Sequence, residues 1–130
     1  MKLTSRRDML RQSGLLAGAL GLGPPLAEAA TRKLKVVFAG GHPDDPQSGC
    51  GGTMARFADL SHEVVALFLT RGELGVPGKS PQETAAIRSA EAQKSCEILR
   101  ARPVFVNQTD GNTEVNKARY KEFREILDAE

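Results

Sequence analysis

The 130-residue chain has no tryptophan, one tyrosine, two cysteines and two histidines. Without tryptophan, and with only five phenylalanines, any core is built mainly from aliphatic side chains. No uninterrupted apolar run reaches the roughly 18 residues of a membrane-spanning helix. The cysteines, Cys50 and Cys96, form no Cys-x-x-Cys pair of the zinc-ribbon kind. An oxidising compartment could join them, and two unpaired small residues is the plainer reading. The scarcity of histidine makes each position informative. The chain is short enough for one domain at most, and 40% hydrophobic with 26% charged residues is ordinary for a globular protein.

The first 29 residues read as a targeting segment. Arg6-Arg7 precedes the weakly apolar stretch SGLLAGALGLGPPLAEA, which ends in the Ala27-Glu28-Ala29 cleavage pattern. This order resembles a twin-arginine export signal, so the twin-arginine machinery is an expected partner, with a periplasmic or extracellular destination. A basic helix retained on the protein is the alternative. Cleavage would remove Lys2, Arg6, Arg7 and Arg11 together with Asp8 and Glu28, leaving basic and acidic side chains balanced. A balanced chain gives no electrostatic reason to bind nucleic acid, and no stable membrane span remains after cleavage.

Residues 30–130 alternate strand and helix signals. KLKVVFA (33–39) predicts a strand, TMARFADL (53–60) a helix, and EVVALFLT (63–70) a fully buried strand. Ser80, Pro81 and Glu83 form a capping box for a helix running to about Arg100. PVFVN (103–107) predicts a third strand, and a final helix starts near Thr113. This alternation predicts an α/β, Rossmann-like three-layer fold with helices on both faces of a parallel sheet ordered 3-2-1.

Ligands of such sheets bind beyond the carboxyl ends of the strands. His42-Pro43-Asp44-Asp45, then Arg71-Gly72-Glu73, then Asp110-Gly111 all follow strand ends, so the acidic clusters share one edge. His62 precedes a strand, on the opposite edge, and reads as a surface-loop residue. His42 is therefore the usable imidazole. On the long helix, Ile87, Ile98 and Leu99 are expected on one face with Arg88, Glu91 and Ser95 in its middle. Arg88 then either pairs internally with Glu91 or points into the site.

GGHPDDPQSGCGG (40–52) sets two adjacent carboxylates among five glycines. His42 and Asp45, three apart on a turn shaped by Pro43, can reach one divalent ion. The ion's charge would offset the repulsion between Asp44 and Asp45, and Asp44 could take a proton from water. The glycines are expected to let the backbone turn and start a helix. A phosphate nest is the competing use, but no G-x-G-x-x-G or Walker pattern is present.

GHPDD, GCGGT, LTRGE, AAIRSAEA and TDG together resemble the PIG-L/LmbE-like deacetylase family, over Leu34 to Glu130. The resemblance implies a Rossmann-like, usually zinc-dependent hydrolase that removes acetyl from an N-acetylglucosamine-type amino sugar. It implies His42 and Asp45 as metal ligands, Zn2+ as the ion and Asp44 as general base. Arg88 matches the arginine that contacts the sugar, with Asp110 and Glu73 placed in the substrate-binding set. Two departures stand out. Pro46 replaces the family's usual glutamate. The family's third metal ligand comes from a later H-x-D-H motif after a fourth strand, in a sheet ordered 3-2-1-4-5, whereas this sequence stops at Glu130 and reads as the N-terminal portion, apparently truncated. A non-catalytic metal- or sugar-binding module is the alternative function.

Overall fold

Residues 32–130 are described by a computed structural model. The segment expected to be an export signal, residues 1–29, lies outside the described residues. The elements run β1 (Lys35–Gly40), α1 (Asp45–Asp59), β2 (Glu63–Phe68), α2 (Pro81–Leu99), β3 (Arg102–Phe105) and α3 (Lys117–Ala129).

The three strands form one parallel sheet in the order β1-β2-β3, as the alternation predicts. Lys35 to Gly40 pair with Glu63 to Phe68, and Val65 to Phe68 pair with Arg102 to Phe105. The central strand is the most apolar because both its faces are covered: Val64, Val65, Ala66, Leu67 and Phe68 are all buried. Val64, Ala66 and Phe68 point to one side by the two-residue strand period. They meet Met54 of α1 and Ala92 and Cys96 of α2 in the main core cluster.

Helix α1 starts eight residues earlier than the apolar pattern indicates, at Asp45. Pro46 in the first turn supplies a preset φ, Asp45 places negative charge at the helix N-terminus, and Pro46 and Met54 are buried. Gly49, Gly51 and Gly52 therefore lie inside a helix, where a side chain at any of them would meet nothing within 4 Å. The glycine that matters is Gly40. A Cβ there would sit 2.6 Å from Asp45 Cβ and 2.7 Å from Pro46 Cδ. It lets the end of β1 run directly beneath the start of α1. None of the five motif glycines has a positive φ, so close approach rather than a sharp turn is what the motif uses.

The capping box of α2 forms as expected: Ser80 accepts from the Glu83 N–H, and Glu83 accepts from the Ser80 N–H. Its buried stripe differs from the expected one. Thr84, Ala92 and Cys96 are buried, whereas Ile98 is 75% exposed and Glu91 lies in solvent. Small residues face inward because α2 packs closely on β3 and α1. Arg88 shares their four-residue spacing and is drawn inward with them. Helix α3 begins at Lys117 rather than near Thr113, because Asn116 caps it through the Arg119 N–H. Cys50 is exposed, Cys96 is buried, and no disulfide joins them. Among the described residues no helix is long and apolar enough to cross a membrane.

Candidate functional site

Hydrogen bonds lock the exits of β1 and β2 together. Thr70, almost fully buried, donates its hydroxyl to the Gly41 carbonyl at 2.9 Å, and its backbone N–H reaches the same oxygen at 3.0 Å. Its hydroxyl oxygen also accepts from the Gly72 N–H. The His-Pro-Asp-Asp turn is thereby held at the sheet edge.

That turn closes on itself. The His42 N–H donates to Asp45 Oδ2 at 2.8 Å, and the Asp45 N–H reaches the His42 carbonyl at 3.3 Å. His42 Nδ1 lies 3.6 Å from the same Asp45 oxygen. Asp44 takes the other direction: its Oδ1 lies 2.9 Å from Arg88 Nη2. Two neighbouring carboxylates, which would repel if they shared one environment, thus have separate partners. Arg88 keeps a weaker 3.7 Å contact with Glu91, and its buried Nε has no hydrogen-bond partner. Gly72, at φ +65°, makes room for this arrangement, since a Cβ there would sit 3.2 Å from Pro43 and 3.3 Å from Arg88 Nε.

The third strand exit brings Asp110. Its Oδ1 lies 2.9 Å from His42 Nε2, its Oδ2 accepts from the Leu74 N–H at 3.1 Å, and its own N–H donates to Glu73 Oε2 at 3.2 Å. The hydrogen bond with Asp110 raises the pKa of His42 above its ordinary value of 6.5, with further support from the charges of Asp110, Asp45 and Asp44 against partial desolvation. Burial pushes the Asp110 carboxyl up, but the bonds from His42 and the Leu74 N–H and the charge of His42 outweigh it, and the net shift is downward.

The PIG-L family pattern, described as GlcNAc-PI de-N-acetylase, matches residues 36–130. This chain belongs to the PIG-L family. It is 39% identical over 71 residues to the 1D-myo-inositol 2-acetamido-2-deoxy-alpha-D-glucopyranoside deacetylase of Kineococcus radiotolerans, covering 50% of this chain and 20% of that protein. It is 38% identical over 72 residues to the diacetylchitobiose deacetylase of Thermococcus kodakarensis, covering 54% and 27% respectively. Among solved structures, N,N'-diacetylchitobiose deacetylase from Pyrococcus horikoshii, complexed with its inhibitor MPG, superposes with a TM-score of 0.70 at 26% identity, over 97% of this chain and 47% of that one. The conserved protein TT1542 from Thermus thermophilus gives a TM-score of 0.58 at 32% identity, over 74% and 42%. The chain thus spans about half or less of the length of these relatives.

In this PIG-L chain, the donor set at the turn suits a divalent ion. Two ligand atoms at about 2.0–2.2 Å from one tetrahedral ion lie roughly 3.4 Å apart, close to the 3.6 Å between His42 Nδ1 and Asp45 Oδ2. Among the described residues no three histidine, cysteine or acidic side chains come together as a cluster able to hold a metal. Pro46, where the family usually has glutamate, is buried at the start of α1 and leaves the His42–Asp45 turn closed.

The sequence places His42, Asp44, Asp45, Glu73, Arg88 and Asp110 on one edge, and the PIG-L structure joins them in two sets. Asp44 meets Arg88, and His42 meets Asp45 and Asp110, with Glu73 behind. His62 sits at the opposite end, as expected, but is half-buried. Its Nδ1 accepts from the Leu34 N–H, and its ring tilts against Phe57 at 5.5 Å.

Two residues gain importance only in the structure. Thr70 is the first. The second is Arg71, whose Nε donates to Asn107 Oδ1 and whose Nη1 donates to Ser89 Oγ, both at 2.9 Å, while its guanidinium lies 4.5 Å from the Phe105 ring centre. It ties the exits of β2 and β3 to the helix that carries Arg88. Both residues stand within LTRGE, and nothing in that string shows which partners they take.

Proposed function

We propose that this PIG-L chain serves a metal-dependent amide hydrolase that removes acetyl from an N-acetylglucosamine-type amino sugar. The observation that carries the reading is the division of labour within one dipeptide: Asp45 folds back beside His42, while Asp44 faces Arg88. The named activities of the Kineococcus and Thermococcus relatives support the same reaction class.

His42 and Asp45 would hold the ion, with zinc favoured by the nitrogen-and-oxygen donor set. When bound, such an ion supplies Lewis acidity, making water acidic near neutral pH and polarising the acyl oxygen. Asp44, more than half exposed and paired with Arg88 rather than with His42, would accept the proton of the attacking water as general base. The water oxygen bonds to the acyl carbon, the carbon–nitrogen bond breaks, and the proton passes to the leaving amine. Acetate and a free amino sugar result. Arg88 orients Asp44 through Nη2 and would contact the sugar through the exposed part of its guanidinium. With residues 1–29 read as a twin-arginine export signal, the reaction would take place in the periplasm or outside the cell.

The test is made on the full-length protein, measuring bound zinc and acetate release from N-acetylated amino sugars. Asp44→Asn should keep the metal and lose activity about 10²–10⁴-fold, and Asp45→Asn should lose the metal as well. Normal turnover in both variants would show the motif reading to be wrong. Tight metal binding by the wild type with no acetate released from any amino sugar would favour the non-catalytic binding module.

A further inference from the structure

We propose that Glu73 and Asp110 form a positioning brace for His42, with Asp110 orienting the imidazole and Glu73 orienting Asp110. The inference rests on the reading of His42 as a metal ligand and goes beyond the expectation that both acids serve only the substrate.

The polar groups of Asp110 facing the site are engaged from two strand exits, one by β1 and two by the segment after β2. Oδ1 takes His42 Nε2 from the β1 exit, Oδ2 takes the Leu74 N–H from the β2 exit, and the backbone N–H is fixed by Glu73 Oε2. The Asp110 side chain is only 12% exposed, whereas that of His42 is 48% exposed. The enclosed partner therefore positions the open one. The turn behind Asp110 uses a glycine conformation: Gly111 has φ +75°, which a side chain there would strain.

The chemical consequence is a fixed tautomer. An ionised carboxylate only accepts hydrogen bonds, so the His42 nitrogen facing Asp110 carries the proton. The lone pair is then on Nδ1, the nitrogen on the Asp45 side. Groups that orient a ligating histidine from behind commonly change metal affinity by about 10–100-fold when removed. A contact serving only the substrate would leave metal affinity alone.

The experiment uses the full chain, first metal-free and then titrated with Co2+. At about pH 9, above the histidine range, nitrogen-15 NMR should show His42 with a directly observable Nε2 proton, retained because Asp110 shelters it. His62 is the other histidine of the chain and serves as reference. Asp110→Ala should abolish that proton signal and weaken Co2+ binding about 10–100-fold, and Glu73→Ala should weaken it in the same direction by a smaller factor. Asp110→Asn keeps the shape and one acceptor, and should fall between wild type and Asp110→Ala. It carries the test if the alanine variant fails to fold. A His42 signal unchanged by these variants, with Co2+ affinity within twofold of wild type, would overturn the brace. Neither readout involves hydrolysis. A protein that binds Co2+ with the predicted losses but cleaves no amide would lose the deacetylase reading and keep the brace.

Discussion

Arg88, two turns into α2, holds the carboxylate of Asp44 at the start of α1 at 2.9 Å. The same guanidinium is about one-fifth exposed and packs against Gly72, so it is fixed on two sides while one N–H stays without a partner. Arg88→Ala should therefore raise KM for an amino sugar more than it lowers kcat, by about tenfold or more, since a charge-assisted hydrogen bond contributes about 1.5–3 kcal/mol. Steady-state kinetics beside a thermal melt checks this. A lowered Tm with unchanged kinetics would assign Arg88 to structure alone. Arg88→Lys should rescue little, because one ammonium cannot reproduce the planar fork.

The glycines of the motif should respond in opposite directions. Gly40→Ala forces a methyl to within 2.6 Å of Asp45 Cβ and 2.7 Å of Pro46 Cδ, and should destabilise the fold by about 1–3 kcal/mol. Gly49→Ala, in open space inside α1, should stabilise by about 0.4–1 kcal/mol. Chemical denaturation of both variants measures the two signs in one experiment.

The His42–Asp110 pair predicts a pH window for the metal-free protein. His42 is raised from 6.5, so its contribution is complete below that value and is lost as pH rises through the folded value. Asp110 is lowered from 3.8, so its contribution is present above that value and is lost as pH falls through the folded value. The pair should stabilise most between about pH 4 and 6.5. Thermal melts across pH should show this maximum, and Asp110→Asn should flatten it. A wild-type profile equal to that of the variant would remove the coupling.

Thr70 joins two strand exits through one hydroxyl, with bonds to the Gly41 carbonyl and from the Gly72 N–H. Thr70→Val keeps the shape but strands the Gly72 N–H in a buried site. It should destabilise by about 1–3 kcal/mol, and Thr70→Ser should recover most of that. Equal stability of the valine and wild-type proteins would show that the hydroxyl is not needed.

The export reading predicts that changing both Arg6 and Arg7 to lysine traps the precursor in the cytoplasm. Fractionation and immunoblotting follow the two forms. Mature protein outside the cytoplasm at wild-type levels would refute the twin-arginine assignment.

Sequence by itself determined the order of elements and the edge on which the polar groups gather. Those features rest on local physics: the continuous apolar run of β2, the Ser80–Glu83 capping box, and the alternation that sends each strand's carboxyl end the same way. Local pattern misplaced the start of α1, because three glycines look like a loop when the burial of Pro46 and Met54 is not visible. It also put Ile98 and Glu91 on the buried stripe of α2, when close packing of the helix selects Thr84, Ala92 and Cys96. Only the tertiary structure decided the pairings. His42 and Asp110 stand 68 positions apart, and Asp44 finds Arg88 on another helix. Such contacts depend on how the strand exits and the two helices are packed together, and no short window of residues contains both partners.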